Sequence, residues 1–443
     1  MRIREQIEAT GHARVMVVLK QVTTRVKGRV QLAMAETQER QHESATKLMR
    51  YFKAFEDSRA NLILRERPPS TSRPSMTAVA EVGGAALGVS ALPMHALQVE
   101  SWSVRYFPIL GVLLGTVDQE GFEALLRAKD EVSALSVPPE FSLIRPLPND
   151  SAALAGMPPG VSWGLNRMCI PNLWDGGLTG KGVLVGHLDT GVDADHPALV
   201  DAVNVYAEFD DIGEQIPDAP IQDSGFHGTH TAGLIAGRPI DGSSFGAAPG
   251  AMLASASVIE GGDIPARVIA GLEWSLGQGC RLINLSLGLR GYDPAFTAIM
   301  TLLRQRGALP IAAVGNEGPA TSRSPGNYVQ VVSVGACNQE DAVWSGSSSQ
   351  TIAHPLRVAP DLIAPGERVW SCVPGNRTAL LSGTSMAAPH VSGLAALLME
   401  HRPEATIADI ERAILNSCQR PQGASTIRAN RGIPNAIVAR DSL

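Results

Sequence analysis

Apolar positions follow two different rhythms along this chain. The run Ala13-Arg-Val-Met-Val-Val-Leu19 is short and rich in β-branched residues, which predicts a buried strand. From about Val30 to Asp57, apolar Leu32, Ala35, Leu48, Tyr51, Phe52 and Phe55 are spaced among Gln, Glu, Lys and Arg. That spacing predicts a long helix, largely exposed because Glu36 to Glu43 is almost wholly polar. Residues 66–77 have the composition of a loop. A strand-like run at Trp102–Tyr106, an apolar run at Ile109–Val117, a short helix at Gln119–Lys129 and a strand at Val132–Val137 follow. The first 145 residues thus read β-α-β-α-β, the pattern of a small α+β domain. Prolines 138, 139, 146, 148, 158 and 159 then predict a stiff linker over 146–162.

From Gly180 the texture changes. Strand-like runs at Val183–Leu188, Leu253–Val258, Leu282–Leu287, Ala308–Ala313 and Val329–Val334 alternate with helical stretches such as Ala266–Gln278 and Pro294–Arg306. Such alternation predicts an α/β domain over 163–443, a parallel sheet covered by helices on both faces.

Composition adds mostly exclusions. A chain of 443 residues, 44% hydrophobic and 18% charged, has the makeup of a two-domain globular protein. The net charge of −6 comes without a basic block, so no nucleic-acid partner is expected. Cys169, Cys280, Cys337, Cys372 and Cys418 are scattered and odd in number, which predicts buried free thiols and neither a disulfide framework nor a zinc site. The apolar stretch Val82–Leu97 is too short for a membrane span and is broken by Gly83, Gly84, Gly88 and Pro93. The N-terminus has basic residues with no apolar run behind them, which leads to the expectation of a cytoplasmic protein without a membrane partner.

Three segments carry chemistry. Leu188-Asp189-Thr-Gly191 places a carboxylate at the carboxyl end of a strand, where open α/β sheets build their sites. His227-Gly-Thr-His-Thr-Ala-Gly233 begins a helix of small residues, and Ser382-Gly-Thr-Ser385-Met-Ala-Ala-Pro-His390 begins an apolar one. A hydroxyl needs an imidazole to take its proton, and the imidazole needs a carboxylate on its far nitrogen. A serine at a helix N-terminus also meets free N–H groups and a favourable dipole for a developing oxyanion. The order Asp189, His227, Ser385 is that of subtilisin, not of trypsin-like enzymes or α/β-hydrolases. His196, His230 and His390 read as structural; no Glu lies between His227 and His230 as a metal motif of the H-E-x-x-H kind requires.

These three blocks resemble the signatures of the subtilase family of serine endopeptidases. Gly246-Ala-Ala-Pro-Gly, Ile283-Asn-Leu-Ser-Leu-Gly288, Val314-Gly-Asn-Glu-Gly318 and Ala359-Pro-Asp-Leu-Ile-Ala-Pro-Gly366 extend the resemblance over about Trp163 to Ala436. It implies a subtilisin-like fold and an oxyanion donor at Asn316. It implies a substrate-pairing strand at Ser286-Leu287-Gly288 opposite a second wall at Gly261-Gly262, with Arg323 in the floor of the primary pocket. Arg323 there favours a small, polar or acidic residue before the cut. Family members often bind calcium through a His-Pro-Asp segment; here that place is Ala198, so no cofactor is assigned and calcium loses a carboxylate.

The region 1–145 resembles the subtilase propeptide, a ferredoxin-like chaperone and inhibitor, stretched by its long helix and an insertion. That implies a polypeptide substrate and an intramolecular inhibitor as partners, with 145–162 passing through the active site and cut by Ser385. A permanently attached regulatory or partner-binding domain is the other reading of this region. Two further readings of the whole chain stand beside an endopeptidase: a peptidase or esterase with a narrow dedicated substrate, and a catalytically silent peptide-binding module.

Overall fold

The computed structural model describes residues 2–21, 23–26, 29–32, 34–53, 104–148, 157–259, 261–354 and 356–443. The apolar stretch Val82–Leu97 and the loop 66–77 lie outside them. The chain begins with helix α1 (Arg2–Thr10), which packs Ile3 and Ile7 inward, followed by strand β1 (Ala13–Leu19). A hairpin of β2 (Thr23–Val26) and β3 (Arg29–Leu32) comes next. The helix expected from Val30 is therefore shorter, α2 (Met34–Met49). Residues 29–32 pair with 23–26 in that hairpin instead of opening the helix.

β4 (Val104–Phe107), β5 (Val112–Val117), α3 (Gln119–Arg127) and β6 (Val132–Ser136) complete the N-terminal unit. Its antiparallel sheet has the order β4-β5-β1-β6. With α2 and α3 as connections, that order gives the β-α-β-β-α-β arrangement of ferredoxin-like domains. Asp118 caps α3 by accepting from Gly121 N–H.

The C-terminal region is α/β. Its main sheet contains β9 (Leu184–Asp189), β10 (Val203–Glu208), β11 (Met252–Ser257), β12 (Leu282–Leu285), β14 (Leu309–Ala313), β16 (Val332–Cys337) and β17 (Leu362–Pro365). These seven strands are parallel and lie in the order β10-β11-β9-β12-β14-β16-β17. β10 and β17 extend the set expected from the sequence, and the run Leu282–Leu287 divides: β13 (Leu287–Arg290) leaves the main sheet. Helices α4 (His227–Ala236), α5 (Ile264–Gly277), α6 (Thr297–Gln305) and α7 (Thr384–His401) pack on it. α7 is buried from Thr384 to Met399, as an apolar helix threading a core must be.

The two units share a core. Met16, Val18, Phe107, Leu110, Val112 and Leu114 of the N-terminal unit join Ile269, Leu272 and Ala266 of α5 in one apolar cluster. At its edge the half-buried Glu273 carboxylate accepts from Ile109 N–H at 2.6 Å and Leu110 N–H at 2.7 Å. Arg14 of β1 forms an ion pair with Asp263, the N-cap of α5. Two described parts of the proline-rich stretch are paired: β8 (Leu147–Pro148) with β19 (Arg377–Ser382), and Gly160–Val161 with Ser243–Ser244. Pro148 has no N–H to offer and sits on an edge, where proline is tolerated.

Burial pushes the Glu273 carboxyl up to about 7 against the pull of its two N–H donors and of Arg306 and Arg105; Tyr106 also faces it. Undocking returns it to the ordinary carboxylate value of about 4.3. A raised value in the docked state means docking is best supported below that ordinary value and weakens as pH rises through about 7. Amide exchange at Ile109 and Leu110, corrected for its intrinsic pH dependence, is expected to quicken from about pH 6 to about pH 8 in the wild type. Glu273→Gln is expected to flatten that rise.

Candidate active site

Asp189 ends β9 and His227 opens α4, and the turn after Asp189 is what brings them together. Gly191 has φ +113 and Gly228 lies against it so closely that a Cβ on Gly228 would stand 2.0 Å from Gly191 O. Thr190 Oγ1 accepts from Gly228 N–H at 2.9 Å and donates to Asp223 Oδ1 at 2.7 Å. The other Asp223 oxygen accepts from Thr229 N–H and Oγ1 at 2.7 and 2.6 Å. Asp223 thereby ties the Asp189 turn to the His227 helix.

The result is a 2.7 Å bond between His227 Nδ1 and Asp189 Oδ1, with both side chains buried. Asp189 Oδ1 also accepts from Thr190 N–H at 2.8 Å. Burial opposes the Asp189 charge, but His227 and these donors outweigh it and hold the carboxyl below its usual range. His227 Nε2 makes no hydrogen bond among the described residues.

Ser385 lies in the first turn of α7, fully buried. Pro389 has no N–H to return to the Ser385 carbonyl, and Ser286 Oγ donates there instead at 3.3 Å. That contact links the serine's helix to the strand region Ser286–Gly288. Asn316 is oriented by Thr384, whose N–H and Oγ1 both donate to its Oδ1 at 2.9 Å, leaving Nδ2 directed at the cleft.

The cleft is filled by the chain's own residues. β7 (Ser142–Leu143) pairs antiparallel with β13, Leu143 opposite Leu287 and Ser142 opposite Gly288, and Ile144 N–H donates to Ser286 O at 3.3 Å. Ser385 Oγ donates to the Ile144 carbonyl at 2.9 Å, while Asn316 Nδ2 donates to the next carbonyl, that of Arg145, at 2.9 Å. Beyond Pro146, Leu147 pairs with Ser382. One extended segment thus crosses the site on both sides of the serine.

Gly261 and Ile264 face Ser142, Leu143 and Arg145 across a cavity of about 440 Å³. Gly262 packs against the Asp211 backbone instead. Arg323, in the short strand β15 (Arg323–Ser324), is buried, and Glu317 Oε1 accepts from its Nε at 2.8 Å and also pairs with its Nη2. Its Nη1 donates to Ser142 Oγ at 2.9 Å and Gly288 O at 3.1 Å. The charge expected to favour an acidic residue is therefore already compensated.

His230 Nε2 meets Ala379 O, His390 Nδ1 meets Met386 O and His196 Nε2 meets Arg377 O. Burial drives His230 down to about 3 and His390 to about 4, so both rings are neutral. The residues around Ala198 do not fit calcium. Ala198 is buried with its N–H on His196 Nδ1, and the Asp193 oxygens are taken by Asp195 N–H and Gly375 N–H. Among the described residues no group of three or more His, Cys, Asp or Glu is placed to hold a metal ion. The cysteines are free thiols among these residues.

The sequence model of the Subtilase family matches residues 180–434. M-protease of Shouchella clausii is 35% identical over 291 residues, 65% of this chain and 71% of that protein. Subtilisin BL of Lederbergia lenta is 36% identical over 282 residues, 63% of this chain and 98% of the relative. The subtilisin-like protease PopC of Myxococcus xanthus is 32% identical over 377 residues, 75% of this chain and 77% of its own.

The chain belongs to the Subtilase family. It is a serine endopeptidase, acts on polypeptides, and shares a family that generally needs no cofactor. The expectation of a cytoplasmic protein is corrected by the same matches: relatives such as M-protease, alkaline protease and subtilisin BL point to an extracellular location. An N-terminus without an apolar run bears on one export signal alone and cannot carry a location by itself.

Sequence reading missed the residues behind Asp189. His187 and Thr231 are both buried there, His187 Nε2 lying 2.8 Å from Thr231 Oγ1. The signal was available: His187 and Asp189 are two apart on a strand, and His227 and Thr231 four apart on a helix, so each pair shares a face.

Proposed function

We propose that Asp189, His227 and Ser385 cleave peptide bonds as a triad, with Asn316 as oxyanion donor, and that the segment 142–148 holds the cleft closed until it is displaced. The observation that carries the triad is the 2.7 Å Asp189–His227 bond, with Ser385 in the first turn of a buried helix that packs against the His227 helix. Asp189 holds the imidazole with Nε2 free to accept. When the Ser385 hydroxyl is released from the Ile144 carbonyl, its proton passes to His227 Nε2 and Oγ attacks the substrate carbonyl. Asn316 Nδ2 stabilises the oxyanion, and His227 returns the proton to the departing amine. Water then opens the acyl-enzyme by the same route.

Restraint by the N-terminal region rests on a mismatch of one residue. Attack requires Oγ and the oxyanion donor to address the same carbonyl. Here Ser385 holds that of Ile144 and Asn316 that of Arg145, so neither peptide bond is presented. The bond after Arg145 also leads into Pro146, whose fixed φ limits how the segment can slide.

Substrates take the path of 142–148, pairing with β13 before the cut. Arg323, neutralised by Glu317, reads a hydroxyl at the position of Ser142 rather than an acid. Peptides with Ser there are expected to be cut about tenfold faster than those with Ala, the worth of one hydrogen bond to a charged group, and Arg323→Ala is expected to erase the difference. A library profile indifferent to that position in the wild type contradicts this.

A fluorophosphonate is expected to label Ser385, in the full chain or after residues 1–150 are removed, and to label neither Ser385→Ala nor His227→Ala. Asn316→Leu is expected to lower turnover about 10²–10³-fold, the range measured when this donor is removed from subtilisin. Absence of labelling in both forms supports the peptide-binding reading.

A further inference from the structure

Behind the Asp189–His227 pair lies a second, fully buried histidine that the reaction above does not use. His187 sits on the same face of β9 as Asp189, and Thr231 on the same face of α4 as His227. Ser255 Oγ is 3.0 Å from His187 Nδ1, and His187 Nε2 is 2.8 Å from Thr231 Oγ1. Thr231 Oγ1 is 3.1 Å from Asp189 Oδ2, the carboxylate oxygen that His227 does not touch. His187 Nε2 itself stands 3.9 Å from that oxygen, so the hydroxyl is the bridge.

The hydroxyl has one proton and several acceptors within reach. Asp189 Oδ2 is one; the His227 and Gly228 carbonyls, at 3.2 and 3.1 Å, are others. Which acceptor receives it depends on the His187 tautomer. With the proton on Nδ1, Nε2 accepts from Thr231 and the hydroxyl has nothing left for Asp189. With the proton on Nε2, the ring donates to Thr231 Oγ1, and Ser255 Oγ donates to Nδ1. The Thr231 proton is then free for Asp189 Oδ2. A buried carboxylate oxygen without a donor is costly, which selects the second arrangement. Burial lowers the His187 pKa despite the facing charges of Asp189 and Asp223, with His227 adding to the lowering, so the ring is neutral and holds one proton.

We propose that His187 is a positioning residue: as the Nε2–H tautomer it turns the Thr231 hydroxyl onto Asp189 Oδ2 and so fixes the carboxylate that orients His227. The inference rests on the triad reading but is tested without turnover. In the resting full chain with ¹⁵N-labelled histidine, His187 is expected to show a protonated Nε2 and an unprotonated Nδ1. Thr231→Val is expected to shift and broaden the His227 Nδ1–H proton resonance, and Thr231→Ser to restore it. His187→Leu is expected to behave like Thr231→Val, while His187→Gln, which offers an amide donor and acceptor, retains the wild-type signal.

A His187 protonated on Nδ1, or a His227 resonance unmoved in folded Thr231→Val, overturns the proposal. A normal His227 signal in folded His187→Leu does so as well. Where a preparation turns over, Thr231→Val is expected to lower kcat about tenfold or more with KM unchanged, and loss confined to KM contradicts the assignment. Failure of fluorophosphonate labelling with these signals intact is a failure of the triad reading alone.

Discussion

A single buried contact organises the chemistry of this chain: the bond from His227 Nδ1 to a carboxylate at the end of a parallel strand. Asp189 is wholly out of water, and a buried charge persists only where donors surround it. Thr190 N–H, His227 and Thr231 supply them, and each comes from an element that must be placed correctly first. Gly191 and Gly228 are small because the turn and the helix touch there. Asp223 is bonded on both oxygens because it joins them. The requirement to keep one carboxylate ionised in the core therefore reaches outward through β9, α4 and the loop between them.

Much of the site was legible in the sequence because its parts sit at element ends. A carboxylate closing a strand and a serine opening an apolar helix are local patterns: Asp189 meets His227 at the end of its strand, and Ser385 lies in the first turn of α7. Contacts across the fold were not legible. That Pro389 frees the Ser385 carbonyl for Ser286 requires knowing which strand runs past α7. The pairing of Arg323 with Glu317 decides whether the pocket carries charge, and the five residues of irregular chain between them carry no signal for it. The hairpin at 23–32 was hidden because short β-branched runs look alike in helix and strand windows. The resemblance implied that 145–162 enters the active site; that pairing begins upstream, with Ser142–Leu143 on β13, was not legible because prolines mark a linker and an edge strand equally well.

The N-terminal unit and the cleft segment act as one body. The ferredoxin-like sheet packs its apolar face on α5, Glu273 receives two of its N–H groups, and the chain leaving β6 runs directly into β13 as an added strand. A segment tethered to a docked domain is presented to the cleft at high effective concentration, so modest pairing suffices to hold it. Ser385 Oγ and Asn316 Nδ2 hold successive carbonyls of that segment, those of Ile144 and Arg145, and Pro146 stands between its two paired stretches.

Peptide mapping of the purified full chain tests this most directly. The account predicts that the bonds Ile144–Arg145 and Arg145–Pro146 stay intact in the wild type. It predicts that Pro146→Ala, free to shift by one residue, is cut after Arg145, and that Pro146→Ala combined with Ser385→Ala is not. Cleavage after Arg145 in the wild type, or an intact segment in Pro146→Ala, contradicts it.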